Sequence, residues 1–179
     1  VAPFHPFLAV LRELFGISQS DPPAVQRERV ATATADLDTA LAELVPLYLQ
    51  LLSIRTEDTP IPPHLRDERL ARALRDAIAM LIAAAARRTP LALLLEDWHL
   101  ADEASRAALS RLVEDVASHA LLVVATYRTE SPPQWSGGTP TEIRLAPLGV
   151  DDARAVIASR LGEDLVSDAL VEHLHQRTG

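Results

Sequence analysis

The sequence predicts an α/β protein: a large helical N-terminal portion, then a parallel sheet of three short strands, then closing helices. Three observations predict it. Through residues 1–88 the apolar residues recur three and four apart, the spacing of one helix face. Two apolar runs, LALLL at 91–95 and LLVVAT at 121–126, are too short for helices and flank an amphipathic stretch, which makes one strand–helix–strand unit. Alanine is abundant and aromatic residues are only 4% of the chain, a balance that favours helix.

The elements follow in order. PFHPFLAVLRELF, residues 3–15, reads as a short helix after Pro6 with Phe7, Val10, Leu11 and Leu14 on one face, and Gly16 is its stop. Asp21-Pro22-Pro23 opens a second helix. Val30, Ala33, Leu37, Leu41 and Leu44 keep its stripe to Val45, where Pro46 ends or kinks it before another turn or two to Leu52. TEDTPIPPH, residues 56–64, is a proline-rich loop. A strong helix covers 66–87, with Leu70, Leu74, Ile78, Leu81 and Ala85 on one stripe and arginines and acids on the other. That charged face reads as solvated and internally ion-paired.

Residues 91–95 read as a buried parallel strand. A helix over 102–117 follows, with Asp102 as N-cap and Leu109, Leu112, Val113 and Val116 inward. Residues 121–126 are a second buried strand, 131–141 a loop, 142–145 a short third strand, and 151–161 and 164–175 two closing helices. The chain thus divides at the sequence level into a helical portion, 1–88, a βαβ core, 89–147, and C-terminal helices, 148–179.

Composition excludes several classes. There are no cysteines, so neither disulfides nor thiolate metal sites enter. The net charge of −8 opposes a phosphate-backbone binding surface, so no direct nucleic-acid contact is expected. No secretory signal and no membrane-spanning run is visible, which leaves the cytoplasm as the expected compartment. All 17 basic residues are arginine, and a P-loop lysine is therefore absent.

The stretch that carries chemistry is TPLALLLEDWHLAD, residues 89–102. Parallel strands present functional groups at their carboxyl ends. Glu96 and Asp97 end the first strand, and Arg128 lies two residues past the second. Carboxylates bind a hard cation through oxygen, a guanidinium binds phosphate, and the second acid can orient or deprotonate a water. The same acids also read as a loop start. Asp102, as an N-cap, needs no chemistry.

LALLLEDWHLAD together with LLVVATYRTE at 121–130 resembles the Walker B and sensor-1 segments of AAA-like signal-transduction ATPases with numerous domains (STAND-type P-loop NTPases). More narrowly, it resembles the ATPase module of large bacterial transcriptional and cyclase-linked regulators. HPFLAVLRELFGI, LAPLGVDDARAVIASRLG and the terminal RTG resemble further segments of that family, so the likeness spans most of the chain, with little from 25–88 beyond helical pattern. The resemblance implies a partial P-loop NTPase-like sheet. It implies Glu96 as the magnesium-organising acid, Asp97 as the acid that positions the attacking water and Arg128 as the sensor of the terminal phosphate. ATP and Mg2+ are the implied ligands of the intact protein. His99 matches the family's histidine, for which packing at the strand end is the expected role. Trp98 stands where the family often has a smaller apolar residue, and Leu100 where it often has tryptophan, an exchange expected to keep the packing.

The family's G-x-x-x-x-G-K-[ST] loop has no counterpart among Gly16, Gly137, Gly138, Gly149, Gly162 and Gly179. The sequence therefore reads as an internal piece of a larger protein, not expected by itself to bind ATP at useful affinity. Two sheet edges are expected to be open, so that the rest of its own polypeptide or another chain completes the sheet. Two functions remain at this point: the central part of an ATP-driven switch in a signalling or transcriptional regulator, or a degenerate, non-hydrolysing scaffold for protein interaction. A DNA-binding fragment is opposed by the charge.

Overall fold

A computed structural model describes residues 3–55, 60–114, 118–130, 132–133, 140–162 and 165–178. Helix α1, His5–Phe15, buries Phe7, Leu11 and Phe15. It stops at Gly16, whose left-handed backbone (φ 61°) lets its amide reach the carbonyls of Arg12 and Glu13, a conformation costly for any residue with a Cβ. Helix α2, Pro23–Leu37, begins on proline as expected. It ends earlier than the stripe suggests. Asp38 turns extended (φ −164°, ψ 128°), and its carboxylate accepts from the Ala40 amide at 3.0 Å, opening a 3-10 helix over Thr39–Leu44. Helix α3, Val45–Leu51, follows with Pro46 in its first turn, where the missing N–H costs nothing. Pro46 therefore starts a helix, and Asp38 ends one. The apolar spacing was sound, since Val30 and Leu41 are both buried; a short side chain that bonds its own backbone interrupted the helix between them.

Helix α4, Asp67–Arg88, is the longest element, with acids in its first turn and arginines in its last, each matched to the helix dipole. Those arginines also hold the α2 break. Arg87 pairs with Asp38 at 3.0 Å, and Arg88 donates to the carbonyls of Asp36 and Leu37. Tyr48 of α3 is fully buried, meets Phe15 edge-on at 5.3 Å, and donates its hydroxyl to the Ala77 carbonyl of α4 at 3.1 Å. Burial pushes its phenol well above the ordinary value.

Strand β1, Leu91–Leu95, pairs in parallel with β2, Leu121–Ala125, in the register Leu91↔Leu121 to Leu95↔Ala125. Helix α5, Glu103–Glu114, connects them and packs on α4. One core runs from Phe4 to Val113 and crosses residue 88 without a break. Two expectations about the sheet need correction. Among the described residues it has two strands, not three: residues 142–145 form no ladder, and Ile143 and Leu145 are 79% and 89% exposed. Alternating polarity suits a strand but cannot make one without a partner edge. The two strands are also covered on one face only, buried in part of β1 and half-buried in β2. Leu93 and Leu95 point into the core, while Leu94 and Leu122 are each 60% exposed and Val124 is 43% exposed. Continuous apolar sequence marks a strand meant for two-sided cover.

The chain divides into two compact units, 1–139 and 140–179. The second holds α6, Val150–Leu161, and α7, Asp168–Thr178, which pack together, bury Val171 and are joined by an Arg154–Asp168 ion pair. Helix α7 starts four residues later than expected. Residues 56–59 and most of 131–139 of the expected loops, and 115–117 at the expected end of α5, lie outside the described residues. No described helix is long and apolar enough to cross a membrane.

Candidate functional site

The end of β1 is fixed to the end of β2 by Thr126. Its amide donates to the Leu95 carbonyl at 3.0 Å, its carbonyl accepts from the Trp98 amide at 2.7 Å, and its hydroxyl accepts from the Asp97 amide at 3.0 Å. Three bonds around one residue fold the chain sharply after Leu95. Asp97 takes the left-handed conformation (φ 50°, ψ 41°), which a short polar side chain tolerates better than most. A one-turn 3-10 helix, Trp98–Leu100, follows.

Below this turn lies an anchor. Trp98 is 3% exposed and meets Phe7 of α1 edge-on, with ring centroids 6.3 Å apart. Burying the indole leaves the preceding residues no choice but to face outward. Leu100, by contrast, is 71% exposed, so the tryptophan–leucine exchange keeps packing at position 98 and not at position 100.

Glu96 and Asp97 are exposed at the carboxyl end of β1. Glu96 continues the alternation of β1 on the side of Leu94, and Thr126 and Arg128 continue that of β2 on the side of Val124. The turn thus brings Glu96, Asp97 and Thr126 together. Arg128 sits at the same end, exposed, while Tyr127 packs against the core. Among the described residues no ion pair or hydrogen bond joins Arg128 to either acid. Thr126 is the participant that the sequence reading passed over. The signal for it was present: a hydroxyl immediately after an apolar strand is placed to bond the neighbouring loop.

His99 is largely buried, its side chain 11% exposed, and its Nδ1 has no hydrogen-bond partner among the described residues. Asp97 Oδ1 lies 4.0 Å from it, beyond hydrogen-bond length. The His99 carbonyl accepts from the Arg106 guanidinium at 3.3 Å.

Asp102 caps α5, as the sequence predicts. Its Oδ1 accepts from the Ser105 amide at 2.9 Å, its Oδ2 from the Ser105 hydroxyl at 2.6 Å, and Oδ1 also from the Phe4 amide at 3.4 Å. Burial pushes this carboxyl up, but the Ser105 and Phe4 bonds outweigh it and hold it below its ordinary value. A depressed carboxyl contributes its stability above the unfolded value, about 3.9, and loses it as pH falls through the folded value. Replacing Asp102 by alanine is expected to cost about 1 kcal/mol at neutral pH. The difference from wild type should begin to narrow as pH falls below the unfolded value, about 3.9, and shrink further through the folded value, read from denaturant midpoints across pH. A difference constant across pH would show that the carboxylate is not what caps the helix.

Among the described residues no group of three or more His, Asp or Glu side chains is placed to hold a metal ion. Mg2+ takes as few as one or two protein carboxylates and completes its shell with water and phosphate oxygens, and Glu96 is an exposed carboxylate at the strand end.

No family model matches the chain, and no solved structure matches it. A curated protein of Rhizobium meliloti (strain 1021), Uncharacterized protein R02095, is 28% identical over 162 residues, which covers 89% of this chain and 15% of that protein. The chain is thus similar to one segment of a much longer polypeptide.

Proposed function

We propose that this chain is the central part of an ATP-binding and hydrolysing switch module in a bacterial signalling or transcriptional regulator, working in the cytoplasm. One observation carries the reading: Glu96, Asp97 and Arg128 lie at the same carboxyl end of two paired parallel strands, the end at which α/β sheets hold their ligands. The resemblance of EDWHLAD and ATYRTE to Walker B and sensor-1 segments supports it, as does likeness to a segment of a far longer protein. In this reading Glu96 would hold Mg2+, which would supply positive charge against the phosphates. Asp97 orients the attacking water through its carboxylate, and Arg128 donates to the terminal phosphate. The phosphate-cradling glycine-rich loop, absent from this sequence, must come from another part of the polypeptide.

The bare apolar face of β1 and β2 favours a second reading, in which the module is a non-hydrolysing scaffold whose sheet is completed by another part of its polypeptide or by another chain. The residues encoded roughly 50–80 positions upstream of Val1 discriminate: a G-x-x-x-x-G-K-[ST] there supports the switch, and its absence supports the scaffold.

Arg128 supplies the direct test. The side chain is exposed and bonded to nothing among the described residues, so Arg128→Ala should leave folding within about 0.5 kcal/mol of wild type. In the full-length protein the preference for ATP over ADP should fall by about 10- to 100-fold, the loss of a charge-assisted hydrogen bond. An unchanged preference, measured by titration calorimetry, would remove Arg128 from the site.

A further inference from the structure

Asp38, Asp97 and Asp102 each precede a helical turn, and they use their carboxylates differently. Asp38 accepts from the Ala40 amide and Asp102 from the Ser105 amide, each within the turn it opens. Asp97 opens the 3-10 turn Trp98–Leu100, yet its carboxylate makes no cap bond and its side chain is 75% exposed. The turn is held instead through the Asp97 amide, on the Thr126 hydroxyl at 3.0 Å. Among the described residues no hydrogen bond commits either carboxylate oxygen, and the one basic side chain within 4.0 Å is His99.

His99 has the converse problem. Its side chain is 11% exposed, and Nδ1 is buried without a hydrogen-bond partner among the described residues. A buried ring nitrogen left unpaired costs stability, and a site where one persists calls for a cause. Packing alone supplies none, because leucine would fill similar space with no polar atom to bury. The residue is also held in place. The His99 carbonyl accepts from the Arg106 guanidinium of α5 at 3.3 Å, and the neighbouring Trp98 is anchored against Phe7. A fixed ring nitrogen thus stands about 1 Å beyond hydrogen-bond length from a carboxylate with room to turn.

We propose that His99 is a positioning residue for Asp97: in the nucleotide-bound state its Nδ1–H donates to one Asp97 oxygen and leaves the other to orient the attacking water. The inference rests on the switch reading given above. His99 moves no proton and touches neither the water nor the phosphate. Its contribution is orientation. An exposed aspartate turns among several rotamers, and holding it in one before reaction lowers the barrier that follows. Water leaves a site that closes over its ligand, and a hydrogen bond to a charged acceptor is stronger there than in the open turn.

Two substitutions separate positioning from packing, because the two roles predict opposite orders. Asparagine is smaller than histidine but carries an N–H close to the place of Nδ1. Leucine keeps the volume and has no donor. In the full-length protein His99→Asn should hydrolyse ATP within about threefold of wild type, and His99→Leu about 10- to 100-fold more slowly, the loss of one hydrogen bond to a charged group. Both variants should bind ATP as wild type does, so that the loss falls on turnover and not on affinity. The urea midpoint of His99→Leu should lie at or above that of wild type, since an unpaired buried polar atom is removed. Wild-type turnover in His99→Leu overturns the inference. So does a smaller loss in His99→Leu than in His99→Asn, the order that packing alone gives. A lowered urea midpoint for His99→Leu overturns it too, since the ring would then be holding the fold. If wild type hydrolyses no ATP, the switch reading falls and this inference with it; if wild type hydrolyses ATP and the leucine variant keeps pace, this inference falls alone.

Discussion

Trp98→Ala is expected to destabilise the first compact unit by about 3–5 kcal/mol, the cost of emptying a buried large aromatic site. Against a typical total of about 5–15 kcal/mol, that is a large share of the stability. Three features set the size of the effect. The indole is 3% exposed, so nearly all of its apolar surface is lost from the core. Its edge-on partner Phe7 is fully buried on α1 and would lose its ring contact. The Trp98 amide donates to the Thr126 carbonyl, a backbone bond that alanine keeps, so the loss reports the side chain alone. Urea unfolding followed by circular dichroism measures it. Trp98→Phe, which retains an aromatic ring, should recover more than half of the loss. A loss below about 1 kcal/mol for the alanine variant, the scale of a single net hydrogen bond, would show that the strand-end turn is held without this anchor.

Asp97→Asn in the full-length protein should leave ATP binding in place and lower turnover by about 10^2- to 10^4-fold, the contribution of one positioned acid–base group. Asparagine is the informative substitution because it, too, accepts the left-handed backbone at φ 50°. The Asp97 amide can then keep its bond to the Thr126 hydroxyl, and only the carboxylate's charge is removed. A β-branched residue would confound the result by straining the turn. Single-turnover hydrolysis of ATP with parallel nucleotide-binding titrations separates the two effects. Wild-type hydrolysis with an unaltered Asp97→Asn rate would take the catalytic role away from this acid. Undetectable hydrolysis in wild type would favour the scaffold reading.

Much of the architecture was legible because its signals are local. Gly16, Pro23, Asp102 and the stripe of α4 each act through their own turn of chain, and α1, α2, α4 and α5 each begin within a few residues of their expected start. The register of the two strands put the acids and Arg128 at one sheet end, which follows once parallel pairing is granted. What sequence reading missed depends on competition or on partners. Asp38 bonds its own backbone and wins over a stripe that would have carried one helix through to Val45. Residues 142–145 have a strand's alternation, but a ladder is a property of two segments, and no periodicity in one reports the other. The apolar continuity of 91–95 and 121–125 predicted burial on both faces and obtained it on one. Thr126 went unremarked because its three bonds all reach back to residues 95–98, a contact visible only when the strands are side by side.

The parallel pairing has a consequence for synthesis. Corresponding residues of β1 and β2 are 30 positions apart, as in Leu91↔Leu121. At about 5–20 residues per second, the first strand leaves the ribosome roughly 2–6 seconds before the second. Over that interval LALLL has no paired strand, although α4, made earlier, is already available to shelter Leu93 and Leu95. Slowing translation of the codons for residues 96–120 would lengthen the wait and divert more nascent chain to chaperones, whereas the same delay placed after the codon for Ala125 would not.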